Sequence, residues 1–313
     1  MNLKKTLKTI LPLILGGVLV WYSVSKISIP VLVSYFKEAN YSWICLGLFF
    51  GILSHLSRAY RWKFMLAPLG YKPSYTNSVL AVLIGYLVNL ALPRAGEVSR
   101  AIALKNYENI PFEKGFGTIV AERIADLIMM LAIVAITLFV QYDFIFSLLT
   151  NNFNPTKIGI GILLLIIGFF TFSSFVKKAK SGILLKLKTF ISGLIEGATS
   201  IFKMKNKWAF IFHTLFIWTM YVAMFWATIP SIEGLTVPFG GILIGFIAGG
   251  FSIAATNGGI GLYPIAVAGA LALFDIPTEP ATAFGWIMWT AQTVMVILFG
   301  GLAFLLLPIV NKK

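Results

Sequence analysis

The sequence predicts an all-α polytopic membrane protein, and three observations carry that expectation. The 313 residues are 58% hydrophobic and only 12% charged, so far more apolar surface is present than a soluble domain of this length buries. The apolar residues fall in runs long enough to cross a hydrocarbon core about 30 Å thick. Phe occurs 27 times and Trp 8 times, a usage that suits lipid-facing and interfacial positions. A net charge of +14 is better accounted for by positive loops facing the cytoplasm than by nucleic acid, because no basic-aromatic module stands free of the apolar runs. The single cysteine, Cys45, excludes a disulfide framework and a cysteine-based metal site.

Six runs read as spanning helices: 9–25, 42–60, 115–140, 157–176, 207–229 and 284–308. The first follows Lys4, Lys5 and Lys8 and reads as an uncleaved span rather than a signal peptide, since the rest of the chain is itself membrane-embedded. Two further runs are broken. Residues 75–92 run into Pro93-Arg94-Ala95-Gly96, and residues 238–274 are interrupted by Asn257-Gly258-Gly259-Ile260-Gly261.

The distribution of Lys and Arg threads the first break. Segment 177–207 carries eight lysines, while 58–77 and 94–117 carry four basic residues each. A single crossing at 75–92 would put 94–117 and the eight lysines on the outer side. A re-entrant hairpin that enters and leaves from the cytoplasm restores the positive-inside rule throughout. Both termini are then cytoplasmic, and 26–41, 141–156, 230–238 and 275–283 face outward. At the second break parity does not separate a half-membrane hairpin from two full crossings; its uncharged tip favours the hairpin. The threading makes one integral membrane domain of two halves, 42–140 and 207–309, with opposite orientations and an interrupted segment in the same place, as in an inverted-topology repeat. Between them, 157–206 holds a connecting span and a helix with apolar residues at helical spacing from Ile183 to Phe202 among lysines. That helix lies either on the cytoplasmic leaflet or on the protein's own cytoplasmic face.

Six charges stand where a bilayer excludes them: Arg94, Glu97 and Arg100 at the first break, and Glu122, Arg123 and Asp126 in the next span. Each ionisable group near mid-bilayer costs about 2.5–3.5 kcal/mol, so the set must be paired, hydrated, or both. Pro93 and Gly96 make a sharp turn with Arg94 at its tip. Glu97 and Arg100, three apart, share a face of the returning helix. Glu122 and Asp126 share another, with Arg123 about 100° away from Glu122. Two helix N-termini at the two tips, with Arg94 between them, make a site suited to an anion such as a lipid phosphate. The alternatives are that Glu97 complements its own helix dipole, that Arg94 snorkels to headgroups, and that the acidic pair belongs to a structural ion network. A divalent ion on the two carboxylates lacks a third ligand. Arg58 and Arg61, beside Trp62, read either as an interfacial anchor or as a basic doorway for headgroups. His55 and His213 read as packing positions. No catalytic triad order, metal spacing, phosphate loop or dinucleotide fingerprint occurs.

Arg58-x-x-Arg61-Trp62, Asn89-x-x-Leu92-Pro93-x-x-Gly96-Glu97-x-x-Arg100 and Glu122-Arg123-x-x-Asp126 resemble the lysylphosphatidylglycerol synthase transmembrane region, a flippase-like family, over roughly residues 10–309. The resemblance implies a bacterial inner-membrane protein that moves a phospholipid or polyprenyl-linked lipid between leaflets, often beside a lipid-modifying or glycosyl-transfer enzyme. Members fused to an aminoacyl transferase continue into a large cytoplasmic domain; the chain ends at Lys313, so that activity is not expected. The family's second hairpin commonly carries a glutamate after Pro-Gly-Gly-x-Gly, whereas Leu262-Tyr263-Pro264 follow here. The expectation is therefore a non-enzymatic, cofactor-free and metal-free transporter of an anionic lipid. Its substrate residues are Arg94, Glu97, Arg100, Glu122, Arg123, Asp126, Arg58, Arg61, Asn89, Asn257, Gly258 and Gly259. The alternatives are a lipid-binding scaffold for such an enzyme, or a polyprenyl-phosphate-processing enzyme.

Overall fold

The computed structural model describes residues 17–152 except Pro93, 204–312 except Asn257, and scattered positions between 160 and 185. The expected span at 157–176 and the helix at 183–202 lie essentially outside the described residues, as does the beginning of the span at 9–25. The described chain is helical and contains no strand. Eleven described helices are numbered α1 (Gly17–Val24), α2 (Ile29–Glu38), α3 (Tyr41–Leu66), α4 (Tyr75–Ala91), α5 (Ala95–Glu108), α6 (Phe112–Val140), α7 (Tyr142–Asn152), α8 (Lys207–Thr228), α9 (Phe239–Ala255), α10 (Leu262–Ala272) and α11 (Thr278–Val310). Four of these helical stretches, those built on α3, α6, α8 and α11, are long and apolar enough to cross a membrane, and the bent pair α1–α2 makes a fifth candidate. The chain is a multi-pass membrane protein.

The order long, short, short, long occurs twice, as α3–α4–α5–α6 and as α8–α9–α10–α11. Both expected breaks occur as turns between helices. Two segments read only as outward-facing connections hold helices of their own. Within 26–41, α2 begins at Ile29 with Pro30 in its first turn and turns 82° from α1. Val31, Leu32, Tyr35 and Phe36 repeat at helical spacing and lay one face of α2 on the core. Within 141–156, α7 follows α6 almost directly. Neither helix, at 10 and 11 residues, is long enough to stand out as a span by itself. Spans also outrun their apolar windows. α6 starts at Phe112 and α11 at Thr278, with Glu113 and Glu279 in their first turns, where a carboxylate complements the positive end of the helix dipole.

The chain forms two compact units, Met1–Val120 with Trp208–Lys313, and Ala121–Lys207. The first holds two apolar cores. One gathers Phe225, Leu271, Phe284 and Ile287 from α8, α10 and α11. The other gathers Trp62, Leu66, Leu80, Ile84 and Leu104 from α3, α4 and α5. The two longest helices of this unit are struts common to both. α3 gives Ile44 to the first core and Trp62 to the second; α11 gives Ala281 to Met288 to the first and Leu307 to the second. Of the second unit, the described part is α6 beyond Val120, α7 and the scattered positions.

Candidate functional site

The first tip is a helix–turn–helix held backbone to backbone. α4 ends in an extended Leu92, and Arg94 then takes a left-handed conformation with φ 62° before α5 begins. The Ala95 amide donates to the Leu92 carbonyl at 3.1 Å and closes the turn. A left-handed arginine costs free energy that a glycine there would not, and such outliers gather at functional positions. Arg94 is exposed at this tip. Asn89, one turn from the end of α4, accepts a hydrogen bond from the Gly96 amide at 2.7 Å and so satisfies one free donor at the start of α5. A methyl group on Gly96 would run into the Gly85 carbonyl and Asn89, which is why this face of the hairpin is glycine on both sides. Removing the Asn89 carbonyl should cost about 1 kcal/mol. Asn89→Ala is thus expected to lower the unfolding midpoint in detergent, and Asn89→Asp to keep it. Pro93 lies outside the described residues.

Beneath the tip lies a layer of buried arginines. Arg100 on α5 is 4% exposed and sets its guanidinium 4.2 Å from the ring centre of Trp62, which is fully buried. Trp62 in turn donates from Nε1 to Thr118 Oγ1 at 2.9 Å. Arg61 is also fully buried; it donates to Thr214 Oγ1 at 2.8 Å and lies 5.2 Å from the Phe210 ring. Arg58, 2% exposed, donates to the Tyr221 hydroxyl at 3.2 Å, and that hydroxyl meets the Tyr86 hydroxyl at 3.1 Å. These positions correct the reading of Arg58 and Arg61 as an anchor or a doorway. Either role needs the guanidinium at the surface, and α8 covers both. Lys63 is the partly exposed member of the run, with its ammonium over the Tyr60 ring at 3.2 Å. Glu97 stands half-buried in the first turn of α5.

The second tip is built from glycine. Gly258, Gly259 and Gly261 have φ of 66°, 81° and 68°, conformations that side chains resist. Trp289 of α11 donates to the Gly258 carbonyl at 2.8 Å and holds the loop down. A methyl group placed on Gly258 would lie 3.0 Å from Leu90 Cδ2, so the tips of the two hairpins touch. Asn257 is outside the described residues. Gly261 packs on the backbone of Leu19 and Val20 in α1.

Within the second unit, Arg123 joins both neighbouring acids. It donates to Glu122 Oε1 at 3.1 Å and lies 3.6 Å from Asp126 Oδ2. Glu122 is fully buried and Asp126 nearly so, while Arg123 is partly exposed. A long guanidinium stem bridges the 100° that separates adjacent helix positions. Among the described residues no three His, Cys, Asp or Glu side chains converge as metal ligands. His213 shares a 2.8 Å hydrogen bond with Ser57, and His55 packs against Tyr86 with ring centres 4.3 Å apart and the rings tilted by 39°. Thr214 and Tyr221 carry no sequence signal, because each meets its arginine only where α8 packs beside α3, and Tyr86 of α4 joins them through the Tyr221 hydroxyl.

The family model described as lysylphosphatidylglycerol synthase TM region matches residues 9–301. A UPF0104 membrane protein of Methanocaldococcus jannaschii is 32% identical over 129 residues, 40% of this chain and 38% of that protein. The glycosyltransferase AglD of Haloferax volcanii is 28% identical over 107 residues, 34% of this chain and 17% of that protein. The matched segment is thus well under half the length of either relative. No solved structure matches the chain.

Proposed function

Because the chain belongs to the lysylphosphatidylglycerol synthase transmembrane-region family, we propose that it moves an anionic phospholipid or polyprenyl-linked lipid between membrane leaflets and catalyses no covalent step. The observation that carries this reading is the set of four arginines in one compact unit: Arg58, Arg61 and Arg100 buried against aromatic rings and hydroxyls, and Arg94 exposed on a strained tip. Buried guanidinium in an apolar helical bundle is costly and serves best where an anion must be attracted away from water. Arg94 receives the lipid phosphate and Arg100 holds it. Asn89 and Glu97 set the start of α5, and the two touching tips, with Gly258 and Gly259 in the second, act as gates. In the Glu122–Arg123–Asp126 cluster of α6, Arg123 offsets part of the acidic charge.

The topology proposed with it has six spans, two oppositely oriented re-entrant hairpins and cytoplasmic termini in the inner membrane. Helix lengths support it. α4, α5, α9 and α10 have 17, 14, 17 and 11 residues, or about 26, 21, 26 and 17 Å, each short of a 30 Å core. With Cys45 replaced by serine, single cysteines at Lys105, Asn152 and Glu233 test it by labelling in intact cells. Positions 152 and 233 are expected to label from outside and 105 to stay protected; external labelling at 105 overturns the hairpin.

Transport is measured with labelled phospholipids in liposomes. Arg94→Ala and Glu97→Gln are expected to lower the rate at least ten-fold while the protein stays folded. Unchanged rates in both remove the assignment. A second reading, a lipid-binding scaffold for a glycosyl-transfer or lipid-modifying enzyme, is favoured by one finding, the similarity to part of a glycosyltransferase. Normal liposome transport by the isolated chain counts against it.

A further inference from the structure

Away from the tips, α3 and α8 leave a groove of about 290 Å³ between them, at the lower end of the range for ligand pockets. Leu53, Leu56, Phe212 and Phe216 make its walls. Its far end is closed by aromatic side chains: Tyr75 donates to the Leu56 carbonyl at 3.2 Å, and the Tyr60 and Tyr75 rings meet edge to face at 5.7 Å. The polar pair on its lining, Ser57 and His213, satisfies itself internally. Lys63 brings a positive charge to that end. The Lys63 ammonium lies on the Tyr60 ring, and Phe64, 5.0 Å from the same ammonium, continues the aromatic cluster.

An open apolar slot in a membrane-spanning bundle, with the Lys63 ammonium at one end, matches an acyl chain joined to an anionic headgroup. The aromatic rings supply the intermediate polarity of a headgroup boundary. We propose that this groove is a resident-lipid site that holds one acyl chain of an anionic phospholipid, with its phosphate on Lys63. The site does not depend on the transport reading, because retention of a lipid here is independent of leaflet exchange. The charge complementarity of Lys63 selects against zwitterionic headgroups, whose own cation repels it.

The test uses the full chain with a photoreactive benzoylphenylalanine at position 216, in nanodiscs of equal phosphatidylglycerol and phosphatidylcholine, with adducts weighed by mass spectrometry. One lysine near an anionic headgroup corresponds to about a five-fold preference, so phosphatidylglycerol adducts should exceed phosphatidylcholine adducts by about that factor. Lys63→Gln should equalise them and Lys63→Arg should keep the excess. Leu56→Trp, which fills the groove, should suppress both adducts several-fold. The same probe at exposed Phe304 on α11 should show no preference. Equal adducts in the chain with Lys63 intact, an excess that survives Lys63→Gln, or adducts indifferent to Leu56→Trp each overturn the proposal.

Discussion

Gly96→Ala is expected to destabilise the protein by about 3 kcal/mol or more, the top of the usual range for overpacking. The added methyl meets the Gly85 carbonyl and Asn89. A backbone carbonyl cannot swing away as a side chain does, so α4 and α5 must separate, and the Asn89 cap is lost with them. Gly85→Ala is the informative neighbour. Its methyl meets mainly Arg100 Cγ and Cδ, at 2.8 and 3.0 Å, and the Gly96 carbonyl at 3.1 Å. A flexible stem yields more readily, so about 1–2 kcal/mol is expected. Gly117→Ala, exposed on α6 with nothing within 4 Å, should gain about 0.5–1 kcal/mol from helix propensity alone. Unfolding in detergent ranks the three. A loss below about 1 kcal/mol for Gly96→Ala would mean that the hairpin is not packed backbone to backbone.

That hairpin shows what was legible beforehand. An uncharged run that stops at Leu92-Pro93-Arg94-Ala95-Gly96 reads as a break, and the break is there. Gly96 reads as a residue that lets the chain turn. In the structure Arg94 takes the left-handed conformation instead, and Gly96 serves close approach. Turn chemistry is local and visible; which glycine faces another backbone depends on the partner helix and is not. The arginines repeat the point. Intramembrane charge marks Arg94, Glu97 and Arg100 at once. Arg58 and Arg61 sit at the end of an apolar run beside Trp62, where anchors also sit, and only the arrival of Phe210, Thr214 and Tyr221 from α8 buries them. Some 150 residues separate those partners, beyond the reach of periodicity. In the same way, α2 and α7, with 10 and 11 residues, are each too short to register as a span of their own.

Trp62 is the residue on which buried Arg100 rests, and Trp62→Ala is expected to cost about 3–5 kcal/mol, the range for emptying a large buried aromatic site. Trp62→Phe keeps a ring beneath Arg100 but loses the Nε1 bond to Thr118. Thr118 still donates to the Gly115 carbonyl at 2.7 Å, so about 1 kcal/mol is expected for that change. The stacking itself is read from a double-mutant cycle of Trp62→Leu with Arg100→Gln. A guanidinium 4.2 Å from a desolvated indole is worth about 2 kcal/mol, and the two losses should fall short of additivity by roughly that amount. Arg100→Lys separates architecture from charge. An ammonium keeps the positive charge but lacks the planar fork that both lies on a ring and reaches a phosphate with two donors. If Arg100 only props the fold, this variant loses stability and transport in proportion. If it holds the lipid phosphate, transport in liposomes falls at least ten-fold at a temperature where the variant remains folded. A variant that transports normally while folded assigns Arg100 to the architecture and leaves Arg94 to bind the phosphate.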